Sequence, residues 1–128
     1  MTDVDERKIV LERYLEAIRN QSWGDLASCL SSSVKRTGPY LDVFHGREDY
    51  VSYLSRVIPT LENYSLNVDR VRELEDGSLC VELNEVLDLE GVPSVFPEVL
   101  LFGFDDEGAI DSVDIYIKQP PRKESEPN

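Results

Sequence analysis

Histidine is almost missing from this 128-residue chain: His45 stands alone, with two cysteines, Cys29 and Cys80. So few nitrogen and sulfur ligands, so scattered, leave no zinc constellation. Basic residues are also scarce, 13 against 26 acidic ones, for a net charge of −13. That balance argues against nucleic acid, whose binding needs Lys and Arg on phosphates, and against anionic membrane surfaces. No apolar run approaches the roughly 20 residues that span a bilayer. The first residues, MTDVDERK, lack the apolar stretch of a secretory signal. The expectation is a soluble, cytoplasmic protein. A disulfide between Cys29 and Cys80 is one reading; two reduced thiols fit that compartment better. There is no phosphate-cradling glycine loop and no nucleophile elbow. Asp105, Asp106, Glu107 and Asp111 lack the twelve-residue spacing of a calcium loop. No metal or cofactor is expected.

What is present is periodicity. The length suits one domain with its own core. Thr2 and Asp5 have the spacing of a helix-opening box, with Glu6 adding negative charge. Val10, Leu11, Tyr14, Leu15 and Ile18 then recur at helical spacing to about Asn20. Ser22 is placed to cap a second helix carrying Trp23, Leu26, Ala27 and Leu30, ended by the triplet Ser31-Ser32-Ser33. Gly38-Pro39 marks a turn between two short extended pieces. Tyr50, Val51, Leu54, Val57 and Ile58 form the stripe of a third helix, stopped by Pro59.

Beyond Pro59 the period drops to two. Strands are expected near 63–74, 78–90, 96–105 and 109–118, with turns at Glu75-Asp76-Gly77, Gly91-Val92-Pro93-Ser94 and Asp105–Gly108. The tail QPPRKESEPN has too little apolar content to pack and is expected to be disordered. The domain thus covers 1–118, as an α+β protein of three amino-terminal helices on a curved, mainly antiparallel sheet.

One residue breaks the strand pattern. In LCVELNEVLDLEG the inward parity runs Leu79, Val81, Leu83, Glu85, Leu87, Leu89. Either Glu85 enters the interior, where desolvation favours its neutral form, or a β-bulge at Asn84-Glu85 turns it out.

The order of parts resembles the nuclear transport factor 2-like superfamily, particularly its SnoaL-like members. The resemblance spans roughly residues 5 to 118 and is carried by ERYLEAIRNQSWGDLASCL, DVFHGREDYVSYL and FGFDDEGAIDSVDIYIK. It implies a cone-shaped α+β barrel with a hydrophobic pocket and a homodimer through the outer sheet face, where Asp114 and Tyr116 would lie. It also implies that Leu100, Phe102, Phe104, Val113, Ile115 and Ile117 face the pocket. Compared with ketosteroid isomerase, Tyr14 falls on the hydrogen-bond donor, but the base falls on Gly38 and the protonated carboxyl near Leu100. Compared with the superfamily's epoxide hydrolases, one carboxylate position falls on Ile115.

Within that frame the candidate catalytic residues are Tyr14, Asp42, His45 and Glu85. Tyr14 would donate to a developing oxyanion and pair with Glu85, the acid or base. His45, oriented by Asp42, would be a second proton-transfer group at the cavity mouth. Glu98 shares the parity of Leu100 and Phe102, and Arg70 is a candidate partner for either glutamate. Trp23, Tyr53, Leu83, Leu87, Glu98, Leu100, Phe102, Val113, Ile115 and Ile117 make up the expected lining. Two functions fit: a cofactor-free isomerase or cyclase acting on a small hydrophobic carbonyl compound, or a non-catalytic ligand-binding or dimeric assembly module.

Overall fold

The computed structural model describes residues 3–118. The first helix, α1 (Val4–Asn20), is capped by Asp3, whose side chain accepts from the Glu6 N–H at 2.8 Å. This cap replaces the Thr2–Asp5 box; Thr2, like the tail from 119, lies outside the described residues. Leu11, Tyr14, Leu15, Ala17 and Ile18 bury one face of α1. Helix α2 (Trp23–Ser28) is shorter than expected. Ser22 stands at its N-cap position without a side-chain bond to the backbone, and bonds Asp25 instead. The serine triplet belongs to strand β1 (Leu30–Thr37), so it does not close the helix. Its pairing with the last strand shifts register between Leu30 and Lys35. That irregularity hides the alternation that would have marked a strand.

Strand β2 (Val43–His45) follows, then α3 (Arg47–Val57), which runs into a single 3-10 turn at Ile58–Thr60 around Pro59. Three long strands come next: β3 (Glu62–Glu73), β4 (Leu79–Leu89) and β5 (Val92–Phe104), then β6 (Ile110–Ile117). Strand β5 starts four residues earlier than its prolines suggest, at Val92 rather than Phe96. Glu90 (φ 51°) and Gly91 (φ 80°) make a two-residue turn, so Val92 already pairs with Leu89. Positive φ at both central positions is what a type I′ hairpin requires. Pro93 and Pro97 are accommodated within the strand.

The sheet order is β2-β1-β6-β5-β4-β3, antiparallel except for β1 beside β6. The sheet is open, with β2 and β3 at its edges, and the helices pack on its inner face. Leu11, Tyr14, Leu26, Leu79, Leu83, Phe102, Ile110 and Val113 are at most 1% exposed and form the centre of the core. Tyr14 meets Phe102 edge-on, with ring centroids 5.1 Å apart. Among the described residues no helix is long and apolar enough to cross a membrane. Cys29 and Cys80 are free thiols.

Candidate functional site

Strand register decides what the interior contains. β4 and β5 pair without a break from Leu79↔Phe102 to Leu89↔Val92. No bulge therefore interrupts Asn84-Glu85. The irregularities lie on the neighbouring strand, at Glu62–Ser65, where Asn63 has φ 54°, and at Val68–Arg70. Leu83 sits opposite Glu98, and Leu100 opposite Ile115. Glu85 and Glu98 are thus diagonal neighbours on the inner face, within reach of each other's long side chains.

That face, α1, α3 and the loop 38–42 enclose a cavity of about 480 Å³. Its lining includes Tyr14, Arg36, Asp42, Tyr50, Tyr53, Tyr64, Leu83, Glu85, Glu98, Leu100, Ile115 and Ile117. The volume suits a small organic molecule. A second groove, of about 380 Å³ between α1 and β3, is bordered by Lys8, Glu12, Glu16 and Arg19 and contains none of these buried groups.

Three polar pairs occupy the cavity. In the first, the Tyr64 hydroxyl donates to Glu85 Oε2. Glu98 lies beside Glu85, is 6% exposed, and its Oε2 has no hydrogen-bond partner among the described residues. Burial, then the adjoining Glu85 carboxyl, pushes Glu98 well above the ordinary carboxylate range; Arg36 opposes the shift without cancelling it. Glu98 therefore favours its protonated, neutral form. Burial and the Glu85 charge likewise raise the Tyr64 phenol.

In the second pair, the hydroxyls of Tyr14 and Tyr50 bond each other. Burial pushes Tyr14 well above its usual value and Tyr50 up to about 12, so both keep their protons at neutral pH. One of the two protons spans the pair and the other is available to a ligand oxygen.

The third pair joins Arg36 Nη1 to Asp42 Oδ2 at 2.7 Å. The guanidinium is 5.1 Å from the Tyr53 ring centroid, 5.7 Å from Phe44 and 5.9 Å from Tyr50. Gly38 makes room for the contact: a Cβ there would lie 2.4 Å from Asp42 Oδ1 and 2.6 Å from Arg36 Nη1. Partial burial raises the Asp42 carboxyl, but backbone hydrogen bonds and Arg36 together outweigh it and hold the group below its usual value.

These pairings differ from those expected. Tyr14 bonds Tyr50 and Glu85 bonds Tyr64, so there is no Tyr14–Glu85 pair. Asp42 is held by Arg36 and does not orient His45, which is exposed on β2. His45 borders a separate surface recess with Ser32, Arg47 and Glu48, because strand alternation turns it away from the cavity. Arg70 bonds Glu82 on the outer face at 2.6 Å and reaches neither inner glutamate. Phe102 and Val113 are fully buried behind the cavity, Leu87 lies beyond its edge, and Trp23 packs against the helical side of the core. Tyr50, Tyr64 and Arg36 were not among the sequence candidates. The alternation of Val34 and Arg36 was the available signal for Arg36: both are buried in β1. Tyr64 was hidden by the bulge at Asn63, which resets its parity.

Among the described residues no group of His, Cys, Asp or Glu is placed to hold a metal ion. No protein-family profile matches the sequence, and no curated protein does either. Solved structures do. An M. tuberculosis epoxide hydrolase of the LEH-like type superposes with a TM-score of 0.76 at 17% identity, over 89% of this chain and 84% of that one. SalBIII, an epoxide hydrolase/cyclase-like enzyme with a role in pyran ring formation in the polyether salinomycin, gives 0.79 at 18% identity, over 92% and 95%. A ketosteroid isomerase-like protein from Catenulispora acidiphila, solved with trimethylamine, gives 0.72 at 16%, over 84% and 83%. The chain has the nuclear transport factor 2-like fold, in the cone form shared by SnoaL-like cyclases and ketosteroid isomerase-like proteins.

Proposed function

We propose that this cavity is the active site of a cofactor-free acid–base enzyme acting on a small hydrophobic carbonyl compound, by isomerisation or cyclisation. The observation that carries the reading is the Glu85–Glu98 pair on the cavity wall, in which Glu98 is buried and favours its neutral, protonated form. A carboxyl that holds its proton beside a second carboxyl supplies an acid and a base in one site. Glu85 removes a proton from carbon next to the carbonyl, and the Tyr14–Tyr50 pair donates to the oxygen as it becomes an enolate. Glu98 supplies the proton that completes the rearrangement, and Glu85 returns its own to Glu98. Tyr64 orients the Glu85 carboxylate and is a positioning residue. His45 has no part in this scheme, and Asp42 acts only through Arg36. The fold neighbours that act on epoxides and form cyclic ethers are consistent with a buried acid working on a ligand oxygen.

The test is deuterium uptake at carbon acids. Cyclic enones incubated with the protein in D₂O should exchange their α-protons faster than in buffer, followed by proton NMR. Glu85→Gln should reduce that rate by about 10²–10⁴-fold, the usual contribution of a positioned base, with ligand affinity retained. Enones that bind yet exchange no faster than in buffer would favour the non-catalytic binding module.

The outer sheet face supports a homodimer as the assembly. Val95 and Tyr116 are 60% and 59% exposed there, on strands where Val99 pairs with Tyr116. Large apolar side chains so exposed on the broad face of a sheet favour association with a second copy.

A further inference from the structure

The carboxyl pair and the tyrosine pair account for the reacting end of a ligand. They leave Arg36 unexplained. Its side chain is 8% exposed and it lines the cavity. Three aromatic rings flank the guanidinium, which fixes its orientation. Only Nη1 is engaged by Asp42, and Nε has no hydrogen-bond partner among the described residues. A buried guanidinium donor left unmatched is costly, and guanidinium edges match carboxylates in geometry and charge.

Asp42, the group that now balances the charge, is a loose counter-ion. Its side chain is 42% exposed. It belongs to the loop 38–42 at the cavity rim, where Leu41 takes φ 65° and is 82% exposed. A carboxylate at this position can shift towards water as a second carboxylate takes its place, because it is itself 42% exposed and the buried guanidinium keeps an anionic partner throughout.

We propose that Arg36 is the recognition site for a carboxylate carried by the ligand, with Asp42 competing for the same positive charge. The inference rests on the cavity being the ligand site and adds the substrate class: an apolar carbonyl compound that also bears a carboxylate. The ligand's carboxylate takes over the guanidinium contact that Asp42 makes at Nη1, and Asp42 moves outward as it arrives. The cavity's net charge is then unchanged, since one anion replaces another beside the guanidinium. The carboxylate also anchors the molecule, leaving its carbonyl free for the tyrosine and glutamate pairs.

Naphthalene-2-acetate and its neutral analogue naphthalene-2-acetamide, titrated by calorimetry at neutral pH and physiological salt, separate the possibilities. The full chain should bind the carboxylate more tightly than the amide. Asp42→Asn should raise carboxylate affinity by about tenfold, the scale of one charge-assisted contact, and leave the amide unchanged. Arg36→Gln should erase the carboxylate's advantage. Should that variant fail to fold, as judged by its melting curve, Asp42→Asn decides alone. Equal affinities for the two probes, or an Asp42→Asn variant with unchanged or weaker carboxylate binding, would overturn the assignment while the pocket reading stands. If neither probe binds, the pocket reading fails and the inference with it.

Discussion

A carboxyl group that stays neutral at pH 7 leaves a signature in stability as well as in chemistry. Glu98 has a higher pKa folded than unfolded, so the native state retains a proton that the unfolded chain releases. Its stabilising influence is complete below the ordinary glutamate range near 4.3, and is lost as pH rises towards the folded value. Thermal or urea unfolding should therefore show wild-type stability falling with pH across that interval, by at most about 1.4 kcal/mol per pH unit from this group. Glu98→Gln keeps the neutral shape and removes the proton linkage. Its advantage over wild type should grow steadily from pH 5 to pH 8. A constant difference would mean that Glu98 is ionised throughout. Position 85 shows how far a single residue could be read. Leu79, Val81 and Leu83 gave it the inward parity but left a bulge at Asn84-Glu85 open, and the unbroken β4–β5 pairing removes that alternative. Its partner was not legible, because Tyr64 follows a bulge at Asn63 that period-two counting cannot detect.

Elements carry these residues to one place, and the loop 38–42 brings Asp42 to Arg36. Gly38 is packed against both members of the Arg36–Asp42 pair. Gly38→Ala should push the half-exposed Asp42 carboxylate off Arg36 and cost no more than about 1 kcal/mol, measurable by urea titration, because the atoms in its way are side-chain ends. A loss of several kcal/mol would mean that Asp42 is held rigidly against Arg36. The helices and long strands were legible because their apolar positions recur at 3.6 or 2 over many residues. The failures share one cause, local geometry overriding composition. Serines 31–33 read as a helix stop yet lie in β1, where the register shifts. Val92 and Pro93 read as a loop yet extend β5, because a two-residue turn at Glu90-Gly91 starts the strand early. His45 and Asp42 stand three residues apart in sequence and were expected to cooperate. A three-residue strand aims one at solvent, and Arg36 holds the other.

At the scale of the molecule, the open sheet has two faces with different tasks. The inner one holds the core and the cavity. The outer one exposes Tyr116, paired with Val99, and Val95, paired with Val86. If that face joins two copies, Val95→Glu should shift the sedimentation coefficient from dimer to monomer without changing the circular dichroism spectrum. A wild-type chain that sediments as a monomer at all concentrations would remove the dimer. Phe102, fully buried against Tyr14, tests the core instead: Phe102→Ala should cost about 3–5 kcal/mol. The most direct measurement is carbon-13 NMR of the side-chain carboxyls through a pH titration, with Glu98→Gln used to assign the resonance. Glu98 should remain protonated at pH 7, far above the value of about 4.3 for an unperturbed glutamate. A Glu98 resonance that moves together with the exposed glutamates would contradict a buried, proton-holding acid in this cavity.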